Sequence, residues 1–272
     1  MPPVAVQRIN TARARSYISR LPLFTRCSSA ALILLWVASL PGTFDVLDWG
    51  SLKPDQFNFA QSYRLNTYPV VHLNVFHMIA NVCALTPLME RFELEYGTLT
   101  TLSMFLGPLA TFPGLMYIFI ENYILRANTA VAGASVWVFL LVSIEAVRTA
   151  KVNPHFMLGP YKIPTWTSPL FALLVVTALI PRTSFLGHVC GIVVGYVCGM
   201  GYIKYLAPPE KILRFIEDKL KLLAILPHYV SVDQKTYGRF GVLPSNSHQM
   251  TTTSNPPAAF LAASGPGQRL GP

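Results

Sequence analysis

At 272 residues the chain has room for one or two soluble domains, yet 52% of its residues are hydrophobic and only 12% are charged, about half the charged share of ordinary soluble proteins. Mean hydropathy is +0.44, and the apolar residues gather into stretches near the roughly 20 residues that a bilayer span needs. An ordinary soluble domain is set aside on these grounds. The formal net charge of +9 then reports orientation and attraction to anionic lipid before it reports nucleic acid, and no nucleic-acid partner is expected.

Residues 1–27 carry Arg8, Arg13, Arg15, Arg20 and Arg26 and no acidic residue, and an apolar run follows over about 28–46, broken by Pro41 and Gly42. This start reads as a basic cytosolic segment before a first span. It also fits a mitochondrial transit peptide, which would point to the mitochondrial inner membrane, or a cleaved secretory signal. Further apolar stretches lie at about 70–89, 98–120, 129–144, 166–180 and 183–205, six with the first, which places both termini on one side. With a cytosolic N-terminus, that side collects the N-terminal arginines, Arg91, Arg148, Lys151, Lys162, Lys204 and the cluster Lys211, Arg214, Lys219 and Lys221. The opposite loops hold Lys53, Arg64, Arg126 and Arg182. The positive-inside rule favours this arrangement, and the parity of spans argues against cleavage. The expected fold is an all-α membrane protein, a six-helix bundle over residues 28–205. Cys27, Cys83, Cys190 and Cys198 fall in or beside apolar stretches without metal or disulfide spacing and are expected to be packing residues.

Residues 206–272 are expected to form a cytosolic tail. Within it, 210–226 show helical periodicity, with Ile212, Leu213, Phe215, Ile216, Leu220 and Leu223 on one face and Arg214, Glu217, Asp218 and Lys221 opposite. So charged a helix belongs on the cytosolic membrane surface or against the base of the bundle. From Pro244 onward the composition marks a disordered end.

A polar side chain at membrane depth is costly unless paired or facing water, so each one in a span is a candidate functional residue. The second span holds His77 and Asn81, four apart and on one helix face. The fourth opens with Gly133, Ala134 and Ser135, and the sixth with Gly187 and His188. Even-numbered spans enter from the same side. At about 1.5 Å per residue, Ser135 and His188 both lie roughly 7 to 10 Å below that surface, with His77 and Asn81 near the same depth. Gly191, Gly195 and Gly199 continue the stripe that begins at His188, and small residues at that spacing let membrane helices approach closely. The small opening of the fourth span makes it the expected neighbour.

Such packing would hold the imidazole within hydrogen-bond reach of the hydroxyl, as a nucleophile and its base require. No acid in the spans is placed as a third member, so a dyad of Ser135 and His188 is expected. The Ser135 backbone N–H, His77 and Asn81 are the expected oxyanion donors. No metal or cofactor is implied: no His-Glu-x-x-His helix is present, His72 and His77 are five apart, and spans two to six contain no aspartate for an aspartyl dyad. Buried polar groups also line transport pathways, but broken helices in matched halves are not apparent.

Tyr63-Arg64, His72, His77-Met-Ile-Ala-Asn81, Gly133-Ala-Ser135 and Gly187-His188-Val-Cys-Gly191-Ile-Val-Val-Gly195, in this order, resemble the rhomboid family over about residues 28–205. The chain is most similar to the fungal type-2 members. The resemblance implies an intramembrane serine protease that cuts single-pass membrane proteins near the luminal end of their spans, in a Golgi membrane, with Tyr63 and Arg64 in a membrane-dipping first loop. Val136 departs from the glycine that many rhomboids have after the serine, and is expected either to narrow the cavity or to restrict the residue accepted before the scissile bond. In the tail, Gly265-Pro-Gly267-Gln-Arg-Leu270-Gly271 resembles a short box that binds the valosin-containing AAA ATPase, with Ala263 where the pattern has an aromatic residue. The alternative function is a non-catalytic, derlin-like adaptor that holds membrane clients for that ATPase. The presence of both Ser135 and His188 favours the protease.

Overall fold

The computed structural model describes residues 11–40, 42, 44–180 and 183–236. The expected disordered end, with Gly265, Gly267 and Leu270, lies outside the described residues, as do Arg8 and Arg182. A short α1 (Thr11–Ile18) precedes α2 (Leu23–Ala38), after which a long loop holds α3 (Val46–Gly50) and α4 (Arg64–Thr67). α5 (Val75–Tyr96) turns at Gly97 into α6 (Thr98–Phe105) and α7 (Pro108–Phe119), which ends in a π turn, Ile120–Leu125. α8 (Ser135–Val152), a hairpin of β1 (His155–Leu158) and β2 (Tyr161–Pro164), and α9 (Ser168–Leu179) follow. α10 (Phe185–Val197) then runs through the π turn Cys198–Tyr202 into α11 (Ile203–Leu206), and α12 (Glu210–Leu220) and α13 (Leu222–Ile225) come last.

Six helical rods can be traced in the described residues: α2, α5, α6 with α7, α8, α9, and α10 with α11. Thr98–Leu125 and Phe185–Leu206 are long and apolar enough to cross a membrane, while Leu23–Ala38 and Thr165–Leu179 are apolar but shorter. Four sequence expectations need correction. The chain is not wholly helical, because Asn153-Pro154 ends α8 and the Gly159-Pro160 turn folds β1 back on β2, antiparallel. α5 begins at Val75, not near residue 70, because the Asn74 side chain caps it by accepting the His77 N–H at 2.9 Å. α8 begins at Ser135, not near 129, because Val131 is bridged to Leu52 as extended chain. The amphipathic segment is two helices, since Lys221 takes a left-handed conformation and closes α12 by donating its N–H to the Glu217 carbonyl. Leu213 is buried on that helix while Ile212 and Phe215 stay exposed.

The main apolar cluster joins α2, α5, α6, α7, α8 and α10, with the Phe105 ring edge-on to both Phe92 and Trp137, and a smaller one joins Phe139, Leu173 and Ile192 of α8, α9 and α10. One end of the bundle is organised by a carboxylate. Glu93, on the last turn of α5, is fully buried and accepts hydrogen bonds from the Phe24 N–H (2.8 Å), the Thr25 N–H (2.7 Å) and hydroxyl (2.8 Å), and the Thr98 hydroxyl (2.7 Å). The first helical N–H groups have no carbonyl partner within their own helix, and a negative charge there is favourable. Glu93 therefore caps α2 from a neighbouring helix. The network continues to the segment after α13: Thr98 donates its N–H to the Val230 carbonyl, and its hydroxyl accepts the Val230 N–H, both at 2.9 Å.

Removing this acceptor strands buried donors that belong to two elements, α2 and α6. Glu93→Ala is expected to destabilise the fold by about 3 kcal/mol, read as a lower thermal midpoint of the purified protein in detergent. A midpoint equal to that of the wild type would show that water replaces the carboxylate.

Candidate active site

α10 packs more extensively on α8 than any other pair of helices in contact, and its glycines make this possible. A Cβ on Gly191 would stand 2.5 Å from the Val136 carbonyl oxygen, one on Gly195 2.3 Å from that of Leu140, and one on Gly199 3.1 Å from that of Ile144. The partners advance together in steps of four, so the two helices run parallel and in register. One turn before Gly191, His188 is buried, and its Nε2 lies 2.9 Å from the Ser135 Oγ. Phe139, one turn after Ser135 on α8, tilts its ring against the imidazole, with centroids 4.4 Å apart. Sequence reasoning missed Phe139, although its position four residues after the serine on a helix was the available signal. The His188 Nδ1 has no partner among the described residues.

Ser135 is the first residue of α8 and not six residues deep in a helix, so its N–H has no carbonyl of its own helix to meet. The extended stretch before it is pinned at three points. Leu52 and Val131 exchange backbone bonds of 2.9 and 3.0 Å, the Gly133 N–H donates to the Tyr68 carbonyl at 2.8 Å, and the Ala134 N–H donates to the His72 Nε2 at 3.3 Å. Gly133 has φ +121, where a side chain is strained, and an added Cβ would stand 2.5 Å from the His77 Cε1. His77 thus lies against the backbone just before the serine, with its buried Nε2 unpartnered. Asn81 is buried one turn on and donates its amide to the His77 carbonyl at 2.9 Å, which leaves its second amide proton free to donate.

A cavity of about 500 Å³ opens where α5, α8 and α10 begin. Asp45, Asp48, Ser51 and Lys53 of the first loop line it, with His77, Ala132 and Ser184. Ser135, Val136 and His188 are not among its lining residues, and the Val136 side chain is buried in the apolar core. Gly187 sits beside Val131 and Ser184, off the stripe formed by the other glycines. Tyr63 and Arg64 hold the first loop together: the Arg64 guanidinium donates to the carbonyls of Asp48 (2.6 Å) and Ser51 (2.7 Å), and the Tyr63 hydroxyl to that of Trp49 (3.2 Å).

The glycine face predicts the effect of a bulky side chain. Gly195→Leu is expected to separate α10 from α8, destabilise the fold by about 3 kcal/mol, and break the contact between Ser135 and His188. Thermal unfolding and proteolytic turnover of the variant check this, and full activity would show that the close approach is dispensable.

The family model for the rhomboid domain matches residues 60–205. The chain is 55% identical over 271 residues to rhomboid-type serine protease 2 of Neurospora crassa, covering 98% of this chain and 96% of that protein. It is 52% identical over 293 residues to the protein of the same name from Podospora anserina, covering all of both chains. Rhomboid-type serine protease B of Aspergillus fumigatus is 55% identical over 263 residues, 97% of this chain and 96% of its own. A serine hydroxyl and an imidazole at hydrogen-bond distance, carried on two parallel helices within the matched segment, thus accompany near full-length similarity, and the chain belongs to the rhomboid family of intramembrane serine proteases.

Proposed function

We propose that Ser135 is the nucleophile and His188 its general base, acting as a dyad on single-pass membrane proteins near the luminal end of their transmembrane segments. The 2.9 Å contact between the His188 Nε2 and the Ser135 Oγ carries this reading. His188 takes the hydroxyl proton as Oγ bonds to the peptide carbonyl carbon, then gives it to the amine as the C–N bond breaks. A water molecule deprotonated by His188 then attacks the acyl-serine ester, and the serine leaves with that proton. Water enters in this reading through the cavity at the first loop, which reaches His77 and Ala132. No carboxylate accepts from the His188 Nδ1 among the described residues, which supports a dyad over a triad.

The carbonyl oxygen that becomes negative is received by the Ser135 N–H and by His77 and Asn81. His77 serves as a donor in the tautomer that carries its proton on Nε2, the atom left without a partner. All six rods span the membrane in this reading, with both termini cytosolic, and the membrane is that of the Golgi, as the likeness to fungal type-2 rhomboids implies. The first loop dips into the bilayer surface; Phe44, Trp49 and Phe59, the last 96% exposed, fit an interfacial position.

Ser135→Ala and His188→Ala are each expected to lower cleavage of a model transmembrane substrate by at least about 10³-fold while the protein stays folded. Turnover of either variant near that of the wild type would overturn the dyad. His77→Ala is expected to lower kcat by about 10²-fold, and Asn81→Ala by less, because one of its amide protons already serves its own helix. Both should still be labelled at Ser135 by a fluorophosphonate probe. Unchanged kcat in both would remove these side chains from the oxyanion site.

A further inference from the structure

Of the three points that pin the stretch before Ser135, two are backbone pairs and one is an imidazole. His72 is 6% exposed, and its Nε2 accepts the N–H of the fully buried Ala134 at 3.3 Å, one residue before the nucleophile. We infer that His72 is a positioning residue: its neutral imidazole fixes the Ala134 amide and thereby aims the adjoining Ser135 N–H and hydroxyl. This inference rests on the reading of Ser135 as nucleophile.

The argument is one of donors and acceptors. A buried backbone N–H without an acceptor is rare because water cannot replace the lost bond. Nε2 can accept only when it carries no proton, so the bond requires the Nδ1–H tautomer of neutral histidine. Protonation turns the acceptor into a donor that faces another donor, and Ala134 is released. The peptide plane between Ala134 and Ser135 is rigid, so rotation at Ala134 swings the Ser135 N–H away from the developing oxyanion. A misplacement on the order of 1 Å lowers a rate by about 10²-fold. His77 is the titratable group in ring contact with His72, edge-on at 5.3 Å. His188 on α10 lies beyond it, and Asp45, Asp48 and Lys53 stand at the cavity that His77 also lines.

The test uses the full-length protein in detergent with His72→Phe, which keeps a ring and loses the acceptor, and His72→Gln, which keeps an acceptor that does not titrate. His72→Phe should lower kcat about tenfold at unchanged KM and slow fluorophosphonate labelling of Ser135. His72→Gln should recover most of that loss, and its kcat should fall less steeply as pH decreases than that of the wild type, because one of the groups that must be neutral is gone. The inference is overturned if His72→Phe keeps kcat within about twofold of the wild type, or if His72→Gln is no better than His72→Phe. Should His72→Phe fail to fold, the His72→Gln profile decides, and an acid limb identical to that of the wild type rejects the inference. Ser135→Ala, run in parallel, separates the two claims, since cleavage by that variant would reject the nucleophile itself whatever His72 does.

Discussion

A 2.9 Å contact between a serine and a histidine on different helices is possible only where the helix backbones come close, because neither side chain is long. In this bundle the approach is made by α10 laying Gly191, Gly195 and Gly199 against the carbonyls of Val136, Leu140 and Ile144. The helices must also run parallel, so that the first turns of both lie at the same end. Parallel neighbours need a crossover, and the hairpin of β1 and β2 followed by α9 provides it, returning the chain from the far end of α8 to the start of α10. Apolar lipid does not drive such a contact; close packing does, which is why glycines meet backbone along the stripe while Phe139 packs beside it on His188.

The far end of the bundle solves a different problem. A carboxylate buried in a protein is costly unless its oxygens are bonded, and Glu93 has four donors from α2 and from the start of α6. The charge is spent on a helix terminus whose N–H groups would otherwise be orphaned. Thr98 then passes the network to Val230, and Tyr229 and Val232 donate to Glu217 of α12.

Much of this was legible in the sequence. The apolar stretches located the helical rods, the glycine stripe identified the packed face of α10, and the ordered polar residues gathered His77, Asn81, Ser135 and His188 into one region. What periodicity could not supply was where the helices begin. The apolar character of 129–134 is shared by a helix and by an extended strand, and only the long-range bridge from Leu52 decides between them. The left-handed Lys221 was equally hidden, because nothing in the apolar face of 210–226 marks a break there.

Among the described residues the buried polar atoms without partners include the Nε2 of His77, the Nδ1 of His188 and the Nδ1 of His72, around Ser135, and others on Arg26, Asn66, Trp137 and Ser143. An unmet buried polar atom costs about 1–3 kcal/mol, so a bundle shaped by stability alone would have replaced these imidazoles with apolar side chains. In the proposed oxyanion site the unpartnered Nε2 of His77 is in the useful state, because its bond forms only as the transition state is approached. Gly133, at φ +121, lets the backbone before Ser135 lie against the His77 ring, where an added Cβ would stand 2.5 Å from Cε1. Under the proposed mechanism the unmet His77 donor breaks a local rule of hydrogen-bond satisfaction where the chemistry uses it, while the four bonds to Glu93 at the other end of α5 keep that rule.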